Sequence, residues 1–218
     1  MKPTVFIISG GVIDDPRIIM REVQTVDSPV LICADGAIRF LHILDLVPDV
    51  IIGDMDSADD KMLRYFEAKG SILIRHPKDK DETDTQLALE HALALKPRAI
   101  RIFGALGGRI DHALANISLL VLGARRGVET KIIDERCEVV VVARRHVIHG
   151  APGQTVSCLP VSTTVSGITL EGFQYPLTDG TMEIGIPYGI SNRLIGSQGV
   201  ITVKHGYLLV VRYFREEE

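Results

Sequence analysis

The stretch PDVIIGDMDSADDKMLRYFEAKG (48–70) reads as one strand, one loop and one helix. Val50–Gly53 is an unbroken apolar or small run, the mark of a strand buried on both faces. From Asp60 the spacing turns helical, and the segment stops at Gly70, where a helix wants its C-cap. Between the two lie Asp54, Asp56, Ser57, Asp59 and Asp60. Asp59 and Asp60 suit the first turn of the helix, whose dipole favours anions. Asp54 and Asp56 need another reason, because carboxylates at the end of a buried strand repel one another and resist desolvation.

The same alternation extends outward to about residue 134. Strand-like runs fall at TVFIIS (4–9), PVLICA (29–34), DVIIG (49–53), SILIR (71–75), AIRIFG (99–104) and ETKIID (129–134). GAIRFLHILDL, DKMLRYFEAKG, TDTQLALEHALAL and RIDHALANISLLVLGARRG read as helices between them, the last ending at Gly127. Alternating strand and helix predicts an α/β domain over 1–134, with a mostly parallel sheet covered on both faces. After Asp134 the helical period disappears. CEVVVVA, QTVSCLPV, TTVSGITL, GTMEIGI, GVITVKH and YLLVVRYF are short strands separated by turn residues. They predict an all-β antiparallel sandwich domain over 135–218, with VITVKHGYLLVV as a closing hairpin turning at Gly206. With about 80 residues this domain buries a modest core, so it is expected to lean on the first domain or on a second chain.

Composition excludes several classes. The 218 residues are 46% hydrophobic, enough for a packed core. A net charge of −4 offers no basic surface to nucleic acid or an anionic membrane. Cys33, Cys137 and Cys158 give neither a disulfide framework nor a zinc pattern, and read as small buried thiols in a reducing compartment. The opening MKPTVFIISGG is too short an apolar run for a signal peptide, and no segment approaches the 18 to 20 apolar residues or so of a membrane span. A cytoplasmic protein is expected.

In a parallel sheet, ligands collect at the carboxyl ends of the strands, and four strand-end loops carry unusual chemistry. CADGAIRFL brings Asp35, a tight turn at Gly36, and Arg39 in the following helix; its bland reading, an aspartate capping a helix, has even weight. Asp54 and Asp56 are two hard oxygen donors one residue apart, a spacing that suits Mg²⁺ with substrate phosphates; a solvated acidic loop is the alternative. KDKDETDTQLAL sets Thr83 and Gln86 in a capping-box spacing. That leaves Asp84 at the helix mouth and Lys80 as a flexible point charge for a phosphate. GALGGRIDHALANISLL offers backbone amides at Gly104, Gly107 and Gly108, a planar fork at Arg109, and a helix N-terminus. Asp111 there reads as helix cap, metal ligand or proton acceptor; His112 reads as a packing residue, and Asn116, one turn on, as a support. Singly, each has a structural explanation. Together they describe a metal–polyphosphate site, whose cation neutralises the acidic loop.

These residues resemble the thiamin pyrophosphokinase (thiamin diphosphokinase) family nearly end to end. The resemblance is carried in order by ADGAIRFL, PDVIIGDMDS, KDETDTQLAL, GALGGRIDHALANI and ISNRLIGSQGVITVKHGYLLVV. It implies transfer of a diphosphoryl group from ATP to thiamin with release of AMP, Mg²⁺ as cofactor, and a homodimer with thiamin between the chains. Carried over residue by residue, it makes Asp54, Asp56 and Asp84 the magnesium-binding carboxylates and gives Arg109 and Asp111 catalytic roles. Asp35, Lys80, Thr83 and Arg109 fall at the ATP phosphates, joined by Gly36, Arg39, Gly107 and Gly108 of the same strand-end loops, and Ser191 and Asn192 fall at the thiamin. With no tryptophan in the chain, Tyr188 is the ring expected to stack on it. Two positions depart from the family pattern: Ala37 replaces the second glycine of DGG, and Arg193 stands where a glutamate is frequent. Arg193 leaves room for a diphosphokinase acting on another heterocyclic alcohol such as a pterin; the other rival, of a different class, is a non-catalytic nucleotide or thiamin sensor.

Overall fold

Six of the apolar runs become the parallel strands of one sheet: β1 (Thr4–Ile8), β2 (Pro29–Ala34), β3 (Val50–Gly53), β4 (Ile72–Arg75), β5 (Ala99–Phe103) and β6 (Glu129–Ile133). The computed structural model describes residues 2–56 and 58–214, so Ser57 of the acidic loop lies outside the described residues. The chain separates into two compact units, Met1–Glu135 and Arg136–Glu218.

Within the first unit the strand order is β6-β5-β1-β2-β3-β4, every pair parallel. The chain runs outward from β1 to β4 and then returns to the other side of β1 with β5. Such a reversal opens a crevice between the loops that follow β1 and β5, where ligands of open α/β sheets bind. The connecting helices are α1 (Arg17–Val23), α2 (Ile38–Ile43) after a 3₁₀ turn over Asp35–Ala37, α3 (Asp60–Ala68), α4 (Asp84–Ala94) and α5 (Ile110–Arg125). Both strand faces are apolar because both are covered: all five residues of β1 are buried, and Phe6, Ile8, Cys33, Ile51, Phe66 and Phe103 share one core.

The segment that opened the sequence folds as one βα unit. Asp49 fixes the start of β3, its carboxylate accepting the Leu31 N–H at 2.7 Å while its own N–H donates to the Leu31 carbonyl at 2.9 Å. Asp59 caps α3 by accepting the Lys61 N–H at 2.8 Å. At the other end Gly70 N–H reaches the Glu67 carbonyl and Ser71 N–H the Phe66 carbonyl, both at 3.0 Å, which closes the helix in a Schellman pattern. Gly127 and Val128 close α5 in the same way on Ala124 and Gly123. One helix lies outside the sequence expectation: α1 buries only Ile19 and Val23 and has no side-chain N-cap, so it leaves little periodic trace.

The second unit is all β, with β7 (Cys137–Val142), β8 (Arg145–His149), β9 (Thr155–Pro160), β10 (Thr164–Glu171), β11 (Leu177–Glu183), β12 (Asn192–Arg193), β13 (Gln198–Thr202) and β14 (Leu208–Tyr213). Its strands fall into two antiparallel sets of four, β12-β9-β14-β7 and β11-β10-β13-β8. Val140, Val156, Cys158, Leu208 and Val210 from the first set meet Val165, Ile168, Met182 and Ile201 from the second in one core. The expected closing hairpin is not formed. β13 pairs with β8 and β10, whereas β14 pairs with β7 and β9, so Gly206 lies in a link between the two sets. Ile201 and Leu208 thereby approach the shared core from opposite sides, which the two arms of one hairpin cannot do. No helix among the described residues is long and apolar enough to cross a membrane.

Phe66 is 1% exposed in the core of the first unit and supplies the carbonyl that closes α3. Phe66→Ala is expected to lower stability by about 3–5 kcal/mol, read by urea denaturation; a loss under about 1 kcal/mol would show that α3 is not anchored there.

Candidate functional site

The register of β2 against β3 pairs Ala34 with Ile52, so the two strands end side by side with Asp35 next to Gly53. Asp54 follows directly. Asp84 arrives from the first turn of α4, a helix started by Thr83, whose hydroxyl accepts the Gln86 N–H at 3.2 Å. The Gln86 side chain turns to Glu90 at 3.0 Å, so only half of the expected capping box forms. One carboxylate oxygen from each of Asp35, Asp54 and Asp84 lies within 4.8 Å of the others, and Asp35 is 1% exposed.

Gly53 makes that approach possible. Its φ is +155°, and a Cβ there would come within 2.6 Å of the Asp35 Cβ and 3.2 Å of the Asp84 carboxyl carbon. Any side chain would wedge the acids apart. Three hard oxygen donors converging on one point suit Mg²⁺, which takes one or two carboxylates and completes its octahedron with water or phosphate. Of the residues expected at a metal, Asp54 and Asp84 meet here together with Asp35, which the sequence placed at the phosphates. Asp56 turns elsewhere: its N–H donates to Asp54 Oδ1 at 3.1 Å, and its carboxylate lies 2.6 Å from Lys78 Nζ. Lys80 Nζ is 3.0 Å from Asp84 Oδ1.

Asp84 and Lys80 also line a cavity of about 780 Å³ at the switch between β1 and β5. Its walls are the loops Ser9–Val12, Lys78–Thr85 and Gly104–Asp111, with Gly36 and Arg39 beside them. The walls are tied to one another. Ser9 and Thr85 share a buried hydroxyl hydrogen bond of 2.6 Å, and Gly11 N–H donates to the Gly104 carbonyl at 2.9 Å. Arg39 donates to the carbonyls of Gly36, Gly10 and Gly11 at 2.7, 2.9 and 3.3 Å, joining the loops after β1 and β2. Asn116, buried at 7% exposure, donates to the Ala105 carbonyl at 2.9 Å and holds the loop after β5. Consecutive left-handed residues at Gly107 and Gly108, with φ of 86° and 72°, lead into the N-terminus of α5. That combination of turned backbone and helix end presents N–H groups to an anion.

Arg109 is the N-terminal flank of α5 and meets Asp111 at 2.5 and 3.1 Å, so Asp111 pairs rather than caps. The Arg109 hydrogen bonds hold the Asp111 carboxyl down at about 2. In the second unit, Asn192 is committed to the backbone: its carbonyl oxygen accepts the Tyr175 and Arg193 N–H groups at 3.0 and 2.9 Å, and its amide donates to the Tyr175 carbonyl at 2.8 Å. Ser191 sits at φ 59° with its N–H on the Ser157 hydroxyl at 3.0 Å, and Tyr188 donates its hydroxyl to the Thr181 carbonyl at 2.7 Å while its ring stays exposed. All three cysteines are buried, and burial raises the Cys158 thiol to about 12 and the Cys33 thiol further, which makes both unreactive. Sequence reasoning passed over the Ser9–Gly10–Gly11 loop. A glycine pair directly after the first strand was the visible trace of it.

Residues 24–132 match the family description "Thiamin pyrophosphokinase, catalytic domain", and residues 144–208 match "Thiamin pyrophosphokinase, vitamin B1 binding domain". Thiamine pyrophosphokinase of Bacillus subtilis (strain 168) is 33% identical over 177 residues, covering 77% of this chain and 79% of its own. The crystal structure of the Bacillus subtilis enzyme is similar with a TM-score of 0.86 at 30% identity, over 98% of this chain and 100% of that one. That of thiamin pyrophosphokinase from Geobacillus thermodenitrificans gives 0.83 at 28% identity, over 98% and 99%.

The Arg109–Asp111 pair persists wherever Asp111 is ionised: it is complete above the ordinary carboxyl value of 3.8 and is lost as the pH falls toward 2. Arg109→Gln is expected to move the Asp111 midpoint up from about 2 toward 3.8, followed by carboxyl ¹³C NMR. An unmoved midpoint would show that another group holds the carboxylate.

Proposed function

Because this chain belongs to the thiamin pyrophosphokinase family, we propose that it transfers the diphosphoryl group of ATP to the hydroxyl of thiamin, giving thiamin diphosphate and AMP. The observation that carries the reading is the convergence of Asp35, Asp54 and Asp84 at the edge of a glycine-walled cavity on the switch point of a parallel sheet. A polyphosphate needs backbone N–H donors, cations and a counter-ion site in one place, and these elements supply all three.

Asp54 and Asp84, with Asp35 beneath them, are the residues to hold Mg²⁺; Asp56 stands next to them on Lys78. Bound there, the ion would offset phosphate charge and polarise the phosphoryl oxygens. The thiamin hydroxyl oxygen forms a bond to the β-phosphorus as the bond from that phosphorus to the bridging α-phosphate oxygen breaks; AMP leaves with the electron pair, and the hydroxyl proton passes late to a carboxylate of the site. Such transfers pass through a loose transition state, so the protein's part is positioning and charge stabilisation. Gly107, Gly108 and the start of α5 face the phosphates with N–H groups, Lys80 supplies a point charge, and Arg109 a planar fork once Asp111 releases it. Thr83 keeps α4 in place and so aims Asp84. Arg39 acts on the ATP site through the Gly10, Gly11 and Gly36 carbonyls. In the free site Asp111 holds Arg109; once Arg109 moves to phosphate the hydrogen bonds that keep that carboxyl near 2 are gone, and Asp111 or Asp84 is the carboxylate to take the hydroxyl proton.

The thiamin side falls to the second unit, where Ser191 and Tyr188 are exposed and the buried Asn192 holds the backbone of Tyr175 and Arg193 beside them. Tyr175, Ile184, Ile186, Tyr188, Ile190 and Ile195 are all exposed within the same twenty-odd residues, apolar side chains that a second copy of the chain and a heterocycle between the two would cover. Of the rivals, a pterin-type acceptor gains no support from the relatives. A sensor has no use for three carboxylates held together against their repulsion.

The deciding assay follows AMP and thiamin diphosphate from ATP, Mg²⁺ and thiamin. Equal yields are expected, and none without thiamin. Asp54→Asn is expected to cut turnover at least about tenfold, as loss of roughly 1.4 kcal/mol of transition-state stabilisation requires, with the circular dichroism unchanged. AMP formed only with a pterin alcohol would overturn the thiamin assignment, and full turnover in Asp54→Asn would overturn the metal assignment.

A further inference from the structure

Lys80 is oddly placed for a residue that stabilises its surroundings. Its side chain is 12% exposed, so its stem is held by the surrounding structure while it lines the cavity. It precedes α4, where the helix dipole disfavours a cation. Its partner Asp84 lies four residues on, in the first turn of α4. Lys78, two residues earlier, makes the contrast: it is 75% exposed and takes Asp56, outside the group of three. Lys80 instead binds Oδ1 of a carboxylate that belongs to that group, at 3.0 Å. A divalent cation drawing on the same carboxylate would stand within a few ångströms of the ammonium, where like charges repel.

On the reading of the cavity as a metal–polyphosphate site, we propose that Lys80 is a resident competitor of the divalent cation for Asp84. The free protein then takes the cation weakly. A polyphosphate entering the cavity that Lys80 lines draws the ammonium onto its own oxygens and releases the carboxylate. Cation and nucleotide thus strengthen each other's binding through the protein, beyond the complex they form in solution, and by linkage the effect is reciprocal. Lys80 meets the phosphate and also sets the order in which the site fills.

The test measures Mn²⁺ affinity without nucleotide, from the electron paramagnetic resonance of the free ion, for the unaltered protein, Lys80→Gln, Lys80→Met, Lys78→Gln and Asp54→Asn. Both Lys80 variants are expected to bind Mn²⁺ at least about fivefold more tightly, the lower end of ordinary coupling. Lys78→Gln, an exposed and screened pair, should change it less than about twofold. A non-hydrolysable ATP analogue should raise Mn²⁺ affinity less in Lys80→Gln than in the unaltered protein, a comparison in which the solution complex cancels. Unchanged affinity in both Lys80 variants, with binding still abolished by Asp54→Asn, would overturn the competition and leave the metal site standing. An equal gain in Lys78→Gln would reduce the effect to general charge and overturn it too. Mn²⁺ binding indifferent to Asp54→Asn would overturn the site itself.

Discussion

Three carboxylates held within 4.8 Å of one another repel, and the first unit is arranged around that repulsion. Asp35 and Asp54 end neighbouring buried strands, and Asp84 begins the helix that packs over both. None can retreat without giving up strand pairing or a helix start. A parallel sheet buried on both faces is stiff enough to enforce such a contact, because its strand ends are fixed by register and its core is close-packed. Gly53 removes the last obstacle by bringing no side chain between the acids. On the proposed reading, a bound cation and its phosphates offset the energetic cost of holding these charges.

Around the acids, the structure spends its polar side chains on backbone. Arg39, Asn116 and Asp49 each bond to main-chain groups of a neighbouring strand or loop. The result is a cavity whose walls are set before any ligand arrives, the form of preorganisation on which phosphoryl transfer depends. The two groups left to adjust are cations on long side chains: Lys80 on Asp84 and Arg109 on Asp111. Both are parked on carboxylates at distances of 3.0 Å or less, and both can be transferred to phosphate. Rigid donors and movable cations divide the work.

Much of this was legible in the chain. The six parallel strands and four of the helices follow from apolar runs and helical spacing, and Thr83, Gly70 and Gly127 mark helix ends as their chemistry requires. What stayed hidden depended on register or on burial of polar residues. Asp35 joins Asp54 only because Ala34 pairs with Ile52, which no single stretch reveals. β8 was missed because RHVIH buries a histidine alternately with an isoleucine, so its inward face does not look apolar. α1 is short and buries two residues. The 203–207 link resembles a hairpin turn locally, yet it carries the chain from one set of strands to the other, a choice made by the core and not by the turn. Nor does any stretch signal that the Asn192 side chain holds Tyr175 and Arg193 by their backbone groups, partners that only the folded second unit brings to it.

The central claim is that the acidic loop persists because a divalent cation and polyphosphate neutralise it. Crystals grown with Mn²⁺ and a non-hydrolysable ATP analogue, measured at the manganese absorption edge, locate the ion directly from its anomalous scattering. The account predicts a peak coordinated by Asp54 and Asp84, with Asp35 beneath it and the analogue's phosphate oxygens completing the shell. A peak on the analogue alone, out of reach of these carboxylates, would contradict it and return the three aspartates to an unexplained repulsion.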